Sequence, residues 1–539
     1  MNEIRVRFTY HNAAPAPQNG EGSFFTCPWG TQVDALIEKA GLLKNSLAAV
    51  KINNEILPLS TRLEVNANLE PVFLEVPEGV MIYRRSLAFL LAAAAKEIFP
   101  ERNLFVGHSL GNSYYYTFRD EKKPSPEELE ALREKMLALV QEDLPICFEY
   151  TAYTEALELF EQNKQIDTSQ LLDQRCESKV KINRCKNFVD LYIEPLVHRT
   201  GLLGAFGLIP YQEGFLLLFP GVGRGTTIDP FEDSPKIFSV YREYKKWGRI
   251  VGVHAVGALN KLVADRTIKD YIRIAEAFQE KKMSEIANQI YERREELKII
   301  LIAGPSSSGK TTTAKRLSIN LKVMGIEPLA ISLDDYYVNN DRTPRDEKGE
   351  PDYECLEALD VAYLNEQLLT LFRGEEAILP LFDFKTGRRK EGGGRKIRLN
   401  RRAVLIVEGI HGLNDALTPE IDRKTKFKLY VSALTQLNLD DHNRIPTSDN
   451  RLLRRMVRDS QFRGNGAAGT IRMWPSVQRG ERKHIFPFQN SADAAFNSAL
   501  DYELAVLKFY ADPLLRSVKP SMAEYAEAVR LLSFLENFA

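Results

Sequence analysis

Cysteine is scarce in this sequence. The 539 residues include five cysteines, and these are far apart along the chain. No two form a C-x-x-C pair, and none has a histidine nearby at the spacing of a zinc site. The sequence therefore predicts reduced thiols, with neither a disulfide framework nor a structural zinc site, at Cys27, Cys147, Cys176, Cys185 and Cys355.

Net charge and long apolar runs are lacking too. A formal net charge of −1 gives no field over the whole protein that would attract nucleic acid or an anionic membrane, so any polyanion site must be local. The longest clean apolar run, residues 87–95, is well short of the roughly 20 residues that a membrane-spanning helix needs. The first residues show no basic segment followed by an apolar stretch. We therefore expect a cytoplasmic protein without a membrane partner.

The length and composition are those of a multidomain globular protein. Hydrophobic residues make up 44% and charged residues 27%, and at about 150 residues per domain the length predicts three or four domains. Short strand-like runs and one helix at residues 32–40 fill the first 75 residues, and helical periodicity dominates residues 235–296. From Lys298 onward strand and helix patterns alternate. The predicted class is α/β, with a mainly parallel sheet at the C-terminal end and two smaller α+β domains before it.

A helix start is visible at residues 124–128. Ser125 can cap the helix, Pro126 suits its first turn, and Glu128 completes a capping box. We predict that this helix runs to about Glu142.

A phosphate-binding loop follows a buried-strand pattern at residues 298–303. Residues 304–311 fit the pattern G-x-x-x-x-G-K-T and precede a helical stretch that ends near Gly325. The loop can wrap a phosphate chain with backbone N–H groups, Lys310 is expected to reach the terminal phosphates, and Thr311 is expected to bind Mg²⁺. The alternative is a Gly/Ser turn that binds nothing. The residues predicted to hold the nucleotide are Gly304, Ser306, Ser307, Ser308, Gly309, Lys310, Thr311 and Thr312.

Carboxylates follow two further predicted strands. Asp334 and Asp335 come directly after the strand at residues 328–333, and Glu408 follows the strand at residues 403–407. Both strand ends should meet beside the P-loop, where ligands of α/β sheets lie. Phosphoryl transfer needs a base for the attacking hydroxyl, and we predict Asp334 for that role and Glu408 for Mg²⁺, directly or through water. The alternative is that the two aspartates only cap the following turn.

Four arginines recur at helical spacing. They lie at i, i+3, i+4 and i+7, on one face of a predicted helix, and are Arg451, Arg454, Arg455 and Arg458. Because four cations on one face repel one another, we predict a lid that grips phosphate, and we assign Arg454 and Arg458, with Lys310, to catalysis. The alternative is a solvated helix that Asp449 and Asp459 neutralise.

From about residue 298 onward these motifs, in this order, resemble the uridine kinase and phosphoribulokinase family of P-loop kinases. The family's D-x-[FY]-Y is matched at residues 334–337, its F-E-G-I at residues 407–410 and its arginine lid at residues 451–464. The resemblance implies ATP and Mg²⁺ as cofactors. Its substrate segment resembles residues 352–360, and its Y-D-F resembles Phe382-Asp383-Phe384. The substrate-binding residues that the resemblance implies are Tyr353, Glu354, Phe382, Asp383 and Arg451.

Two positions depart from the uridine kinase pattern. Gly387 stands where uridine kinases carry a histidine that reads the base, and Glu354 stands where they carry an aspartate that holds the ribose hydroxyls. The resemblance thus implies intact phosphoryl-transfer machinery and leaves the acceptor open.

The first half of the chain has resemblances of its own. Residues 1–75 resemble a TGS domain of the β-grasp type, and residues 76–225 resemble the second N-terminal domain of threonyl-tRNA synthetase, through residues 83–91, 106–116 and 188–192. In the synthetase that domain uses an H-x-x-x-H pair and a C-x-x-x-H pair for editing. The corresponding residues here are Arg85, Phe89, Tyr192 and Leu196. The resemblance therefore implies a binding or regulatory role without metal binding or deacylation.

The combined prediction is a fused protein in four parts. They are a TGS-like domain (1–75), a synthetase-like domain (76–225), a helical connector (226–296) and a P-loop kinase (297–539). We expect transfer of the γ-phosphate of ATP to a nucleoside 5′-hydroxyl, with uridine or cytidine first. The alternatives are a kinase of another sugar-like alcohol and an RNA-binding regulator whose P-loop hydrolyses nucleotide. The expected partners are a nucleoside and a second copy of the chain, and tRNA stays an open alternative.

Overall fold

The computed structural model describes residues 3–9, 24–41, 46–175, 177–346, 349, 351–383, 386–390, 392–400 and 402–539. Cys176 and Phe384, which the sequence analysis names, lie outside these residues. The described cysteines are free thiols: Cys27, Cys147, Cys185 and Cys355. None of the described helices combines the length and the apolar character that a bilayer crossing requires.

The first region is a five-stranded sheet with one helix packed on it. Its elements are β1 (Glu3–Phe8), β2 (Phe24–Pro28), α1 (Val33–Lys39), β3 (Leu47–Ile52), β4 (Glu55–Leu57) and β5 (Ala67–Phe73). The strand order is β2-β1-β5-β3-β4, with β1 and β5 parallel and the other pairs antiparallel. Burial alternates along β1, so that every second side chain faces the core under α1.

The second region packs helices against two antiparallel sheets. Its elements are α2 (Pro77–Ile98), β6 (Leu104–Ser109), β7 (Ser113–Phe118), α3 (Pro126–Glu142), β8 (Cys147–Ala152), α4 (Tyr153–Gln162), α5 (Ile166–Asp173), β9 (Lys179–Cys185), β10 (Phe188–Leu191), β11 (Gly207–Tyr211) and β12 (Gly214–Leu218). The sheet orders are β11-β12-β7-β6 and β10-β9-β8. The capping box of α3 is confirmed: the Ser125 hydroxyl accepts from the Glu128 amide at 3.2 Å, and the Glu128 carboxylate accepts from the Ser125 amide at 2.8 Å.

Three helices link this region to the last one. They are α6 (Pro235–Ile250), α7 (Val256–Ala264) and α8 (Ile268–Glu292). Their apolar faces are buried against both neighbours, since Leu259 of α7 shares one hydrophobic cluster with Leu172 of α5 and Leu531 near the C-terminus. The two halves of the chain therefore share a core.

The last region is built on a parallel sheet, which confirms the predicted α/β class. Its strands are β13 (Ile299–Ala303), β14 (Glu327–Ser332), β15 (Ala377–Leu379), β16 (Phe382–Asp383), β17 (Arg388–Arg389), β18 (Arg395–Ile397), β19 (Ala403–Glu408), β20 (Lys426–Ser432) and β21 (Ala494–Asn497). The parallel sheet has the strand order β14-β19-β13-β20-β21, and every neighbouring pair in it is parallel. The helices are α9 (Lys310–Val323), α10 (Val361–Phe372), α11 (Thr447–Phe462), α12 (Ala467–His484), α13 (Glu503–Arg516) and α14 (Tyr525–Leu535).

Two antiparallel ribbons, β15 with β18 and β16 with β17, project from this sheet. Short 3₁₀ helices connect several elements, at Thr200–Leu202, Leu333–Tyr336, Leu356–Ala358, Asp415–Leu417, Arg423–Thr425 and Phe486–Ser491. Strand β13 lies in the middle of the sheet, and all five of its residues are buried. The loop after β13 therefore emerges at the centre of the carboxyl edge, between the ends of β19 and β20.

Candidate functional site

The loop between β13 and α9 has the conformation that a P-loop requires. Gly309 has φ +87°, and a Cβ on Gly304 would lie 1.9 Å from the carbonyl oxygen of Val431 on β20. Both positions therefore demand glycine. The hydroxyls of Ser307 and Ser308 are buried and have no hydrogen-bond partner among the described residues. The loop runs directly into the 14-residue helix α9, whose N-terminus favours an anion.

Lys310 is the first residue of α9, and its ammonium group turns back over the loop. Its Nζ donates to the carbonyl oxygens of Gly304 at 3.0 Å and Pro305 at 3.2 Å. Burial lowers the pKa of Lys310, and the carboxylates of Glu408 and Asp334 oppose this effect. The cation is thus held at the mouth of the loop, next to two acids.

Glu408 ends β19 and contacts two hydroxyls. Its Oε1 accepts from Thr311 Oγ1 at 3.0 Å and from Ser332 Oγ at 3.2 Å. Burial raises the pKa of Glu408, while Lys310 lowers it. A carboxylate with a threonine hydroxyl is an oxygen donor set that suits Mg²⁺. Thr312 follows in the first turn of α9 and is exposed. Sequence reasoning did not include Ser332; its position at the end of β14 was the available signal.

Asp334 and Asp335 lie in the 3₁₀ turn after β14. The hydroxyl of Ser332 accepts from the Asp334 amide at 3.4 Å, so Ser332 caps this turn. The Asp335 carboxylate accepts from the Phe382 amide at 3.3 Å, and burial raises the pKa of Asp335. Asp334 is close enough to Lys310 to raise its pKa. The two neighbouring acids therefore have different surroundings, and Asp334 belongs to the P-loop side.

The residues predicted to bind the acceptor lie near the carboxyl edge of the parallel sheet, beside the acids described above. The Tyr337 hydroxyl donates to the carbonyl oxygen of Tyr353 at 3.1 Å, and the Tyr337 ring lies 5.8 Å from that of Phe382. Burial and the neighbouring Glu481 raise the pKa of Glu354 to about 7. Asp383 of β16 lies opposite Arg388 of β17 in the antiparallel register of this ribbon. Gly387 directly precedes β17.

Gly387 has φ +65°, and a Cβ there would lie 1.9 Å from the side-chain amide of Asn340. The Tyr353 hydroxyl donates to the Oδ1 of Asn340 at 3.0 Å. Asn340 therefore occupies the space beside the position where uridine kinases carry a histidine. The Asn340 side chain gave no signal in the sequence.

The arginine-rich helix α11 packs against the P-loop. Arg451 donates to the carbonyl oxygen of Ser306 at 3.0 Å, Arg454 to that of Ser307 at 3.4 Å, and Arg455 to the Ser306 hydroxyl at 2.7 Å. Arg458 lies one turn further on and donates to Asp459 at 2.8 Å. Arg455 thus reaches the loop, although the sequence pattern assigned it only to the lid and not to catalysis.

Carboxylates compensate the charge of the four arginines on this helix. Arg451 pairs with Glu481, Arg454 with Glu503, and both Arg455 and Arg458 with Asp459. Asp449, the other predicted partner, pairs instead with Arg530 of α14 at 2.7 Å. The alternative interpretation of this helix holds in part: Asp459 neutralises two of the arginines, but Arg451 is 4% exposed and is not solvated.

The four residues at the positions that resemble the synthetase editing ligands lie in the second region, where they make packing contacts and an ion pair. Phe89 and Leu196 are buried in its hydrophobic core. Burial raises the pKa of Tyr192. Arg85 forms an ion pair with Glu194. In the described part of the chain, no group of three or more His, Cys, Asp or Glu side chains is arranged to hold a metal ion.

Comparisons with known proteins agree with the kinase resemblance and with the synthetase resemblance. Residues 299–505 match the family described as "Phosphoribulokinase / Uridine kinase family". Part of the N-terminal half is homologous to threonyl-tRNA synthetase. Threonine–tRNA ligase of Carboxydothermus hydrogenoformans is 34% identical over 169 residues, 31% of this chain and 26% of the relative. That of Symbiobacterium thermophilum is 32% identical over 201 residues, 36% of this chain and 31% of the relative. The chain thus spans under a third of the length of these relatives.

Two solved structures with similarity to part of this chain carry kinase titles. "A Possible Uridine Kinase from Bacillus stearothermophilus" is 22% identical, with 37% of this chain and 89% of that chain covered and a TM-score of 0.25. Phosphoribulokinase from Rhodobacter spheroides is 16% identical, with 38% and 70% covered and a TM-score of 0.26.

Proposed function

Residues 299–505 are a kinase domain of the phosphoribulokinase and uridine kinase family, and from this premise we propose that the protein transfers the γ-phosphate of ATP to a hydroxyl of a small molecule, first of all the 5′-hydroxyl of uridine or cytidine. The observation that carries the proposal is the meeting of three chemical groups at one sheet edge. They are the P-loop with Lys310, the acid pair Asp334 and Glu408, and the arginines of α11.

In the proposed reaction Asp334 acts as the general base. The acceptor oxygen forms a bond to the γ-phosphorus, the bond from that phosphorus to the β,γ-bridging oxygen breaks, and the proton of the acceptor hydroxyl moves to the Asp334 carboxylate. Lys310 and Arg454 stabilise the charge on the transferring group and on the leaving diphosphate. ADP and the phosphorylated acceptor are the products.

The donor site is proposed to hold ATP with Mg²⁺. Loop residues 304–309 would surround the phosphate chain with backbone amides, and Thr311 and Glu408 would hold the metal ion, since their oxygens already lie 3.0 Å apart. Bound Mg²⁺ would neutralise charge on the β- and γ-phosphate oxygens. The remaining groups in the proposed reaction are backbone amides and side chains of this protein.

A nucleoside acceptor is the finer part of the proposal. Glu354 would hold the ribose hydroxyls, while Tyr353, Phe382 and Asp383 would enclose the rest of the acceptor. The family resemblance supports this assignment, because these residues lie at positions that match the family's substrate motifs.

A second acceptor class, another sugar-like alcohol, is favoured by one observation. Asn340 fills the space beside Gly387, so that a histidine side chain at this position would displace Asn340 from its contact with Tyr353. An acceptor without a base would not need that histidine.

The test is a product analysis. Purified protein and Mg·ATP are incubated with one nucleoside or sugar alcohol in each reaction. The masses of the products are measured by mass spectrometry. We expect a mass increase of one phosphoryl group on one acceptor, and Lys310→Ala should abolish it. If ATP is hydrolysed while no acceptor gains mass, the kinase proposal is wrong and the nucleotide-switch alternative takes its place.

A further inference from the structure

Glu481 lies on α12, the helix after α11, and is 1% exposed. Its Oε1 accepts from the backbone amide of Ser306 in the P-loop at 2.9 Å. Its Oε2 accepts from Arg451 Nη2 at 2.8 Å, and Arg451 Nη1 donates to Oε1 as well. The carboxylate thus bridges the loop and the arginine-rich helix.

Both of these donors are of the kind that binds phosphate. A guanidinium group pairs equally well with two oxygens of a carboxylate or of a phosphate. P-loop amides are oriented toward an anion in the same way. The Glu481 carboxylate therefore uses donors that a bound phosphate could use.

Gly480, the residue before Glu481, shows where the Glu481 carboxylate lies in the site. A Cβ on Gly480 would lie 2.4 Å from the Cβ of Glu354, so α12 packs directly on the residue predicted to hold the acceptor. Glu481 also raises the pKa of Glu354. The carboxylate therefore lies between the P-loop and the acceptor side, where the terminal phosphate of the donor has to be placed for transfer.

We propose that Glu481 is a positioning residue that competes with the terminal phosphate of the nucleotide for the Ser306 amide and the Arg451 guanidinium. This inference rests on the proposed function. When a triphosphate binds, its terminal phosphate displaces the carboxylate, takes both donors, and so places Arg451 beside the group to be transferred. A diphosphate does not reach these donors and leaves Glu481 in place.

The first test compares ATP with ADP. Glu481→Gln keeps the size of the side chain and removes its charge. We expect ATP to bind about tenfold more tightly to this variant in calorimetry without acceptor, because one repulsive charge near the phosphate is lost, while ADP affinity changes less than twofold. The matched control is Glu524→Gln, which removes the carboxylate that pairs with Arg472 of the same helix and should change neither affinity.

The second test uses the unsubstituted Glu481 and so does not depend on the folding of that variant. Trp474 of α12 lies under Arg451, with 5.3 Å from the guanidinium carbon to the ring centre. In a Trp29→Phe/Trp247→Phe background its fluorescence reports on this pair. We expect ATP to change the emission of Trp474 and ADP to leave it unchanged.

Equal emission changes with ATP and ADP would overturn the proposal, as would weaker ATP binding to Glu481→Gln. In that case Glu481 only supports Arg451 structurally. A protein that binds neither nucleotide would instead refute the proposed function, so the two failures are distinguishable.

Discussion

At the scale of single residues, two adjacent aspartates have different neighbours. Asp335 accepts a hydrogen bond from the Phe382 amide, whereas Asp334 lies on the side of Lys310. We predict that Asp334→Asn lowers kcat by about a hundredfold or more, as expected for a lost general base, and leaves ATP affinity largely unchanged. Asp335→Asn is the control and should keep most of the activity. Steady-state kinetics with calorimetry measure both, and the reverse order of effects would assign the base to Asp335.

Glu354 gives a second prediction at this scale. Burial and Glu481 raise its pKa to about 7, so the ionised fraction rises from about one tenth at pH 6 to about nine tenths at pH 8. Because the ionised carboxylate accepts hydrogen bonds from hydroxyls more strongly, the KM for the acceptor should fall nearly tenfold over this range. Glu354→Gln should make the KM independent of pH, apart from the titration of ATP itself. An unchanged pH profile in the variant would contradict the prediction.

The raised pKa of Glu354 also makes the stability of the folded protein depend on pH, and stability should fall as the pH rises. A carboxyl whose pKa is raised in the folded protein stabilises it below the unfolded value near 4.5, and this contribution is lost as the pH rises through 7. The unfolding temperature of the wild type, relative to Glu354→Gln, should therefore fall between pH 6 and pH 8. Thermal unfolding at both pH values measures this difference.

At the scale of elements, α11 distributes its arginines unevenly. Arg454 contacts the P-loop and Ser498, whereas Arg458 donates to Asp459. We predict that Arg454→Ala lowers kcat/KM by about a hundredfold, the usual effect of removing a donor to developing charge, and that Arg458→Ala has a much smaller effect. Kinetics of the two alanine variants test this. Equal losses would mean that α11 moves Arg458 to the phosphates during the reaction.

The start of α3 offers a prediction about stability alone. Ser125 and Glu128 form a reciprocal capping box, and its loss leaves an amide at the helix N-terminus without a partner. Ser125→Ala should lower the free energy of unfolding by about 1 kcal/mol, while Ser125→Asp should keep most of it. Chemical denaturation measures both values, and kinase activity should stay unchanged.

At the scale of the whole molecule, ion pairs connect the second region to the arginine-rich helix. Arg85 pairs with Glu194, Glu194 accepts from Arg530 at 3.3 Å, and Arg530 reaches Asp449 in the first turn of α11 at 2.7 Å. Arg85 stands at the position of a synthetase editing ligand. Arg85 therefore belongs to a chain of ion pairs that connects the two halves.

We predict that Arg85→Ala loosens α11 from a distance. The free energy of unfolding should fall by about 1–2 kcal/mol, and hydrogen exchange of α11 amides should become faster. Arg133→Ala, which breaks the exposed pair with Glu130 on α3, is the control and should change stability by less than about 0.5 kcal/mol. Unchanged exchange in α11 would show that the chain of ion pairs does not couple the regions.

Four features could be predicted from the sequence: the P-loop, the acids at the ends of β14 and β19, the capped helix α3 and the arginine face of α11. Each of these rests on a short pattern, because glycine conformation, strand-end position, capping and helical spacing act over a few residues. The predicted element bounds agree closely there, as with the strand at residues 298–303 and β13 (Ile299–Ala303).

The contact partners of the site residues could not be predicted from the sequence and are known from the folded structure. Glu481 follows Arg451 by 30 positions, and no local pattern links the two. Asn340 at Gly387, Phe382 at Asp335 and Arg530 at Asp449 are likewise contacts between elements far apart along the chain. Buried polar groups require hydrogen-bonding partners, and the packing of the whole fold decides which partners they meet. Short-range patterns could therefore identify the reacting groups. The contacts that position these groups and shift their pKa values depend on the folded chain.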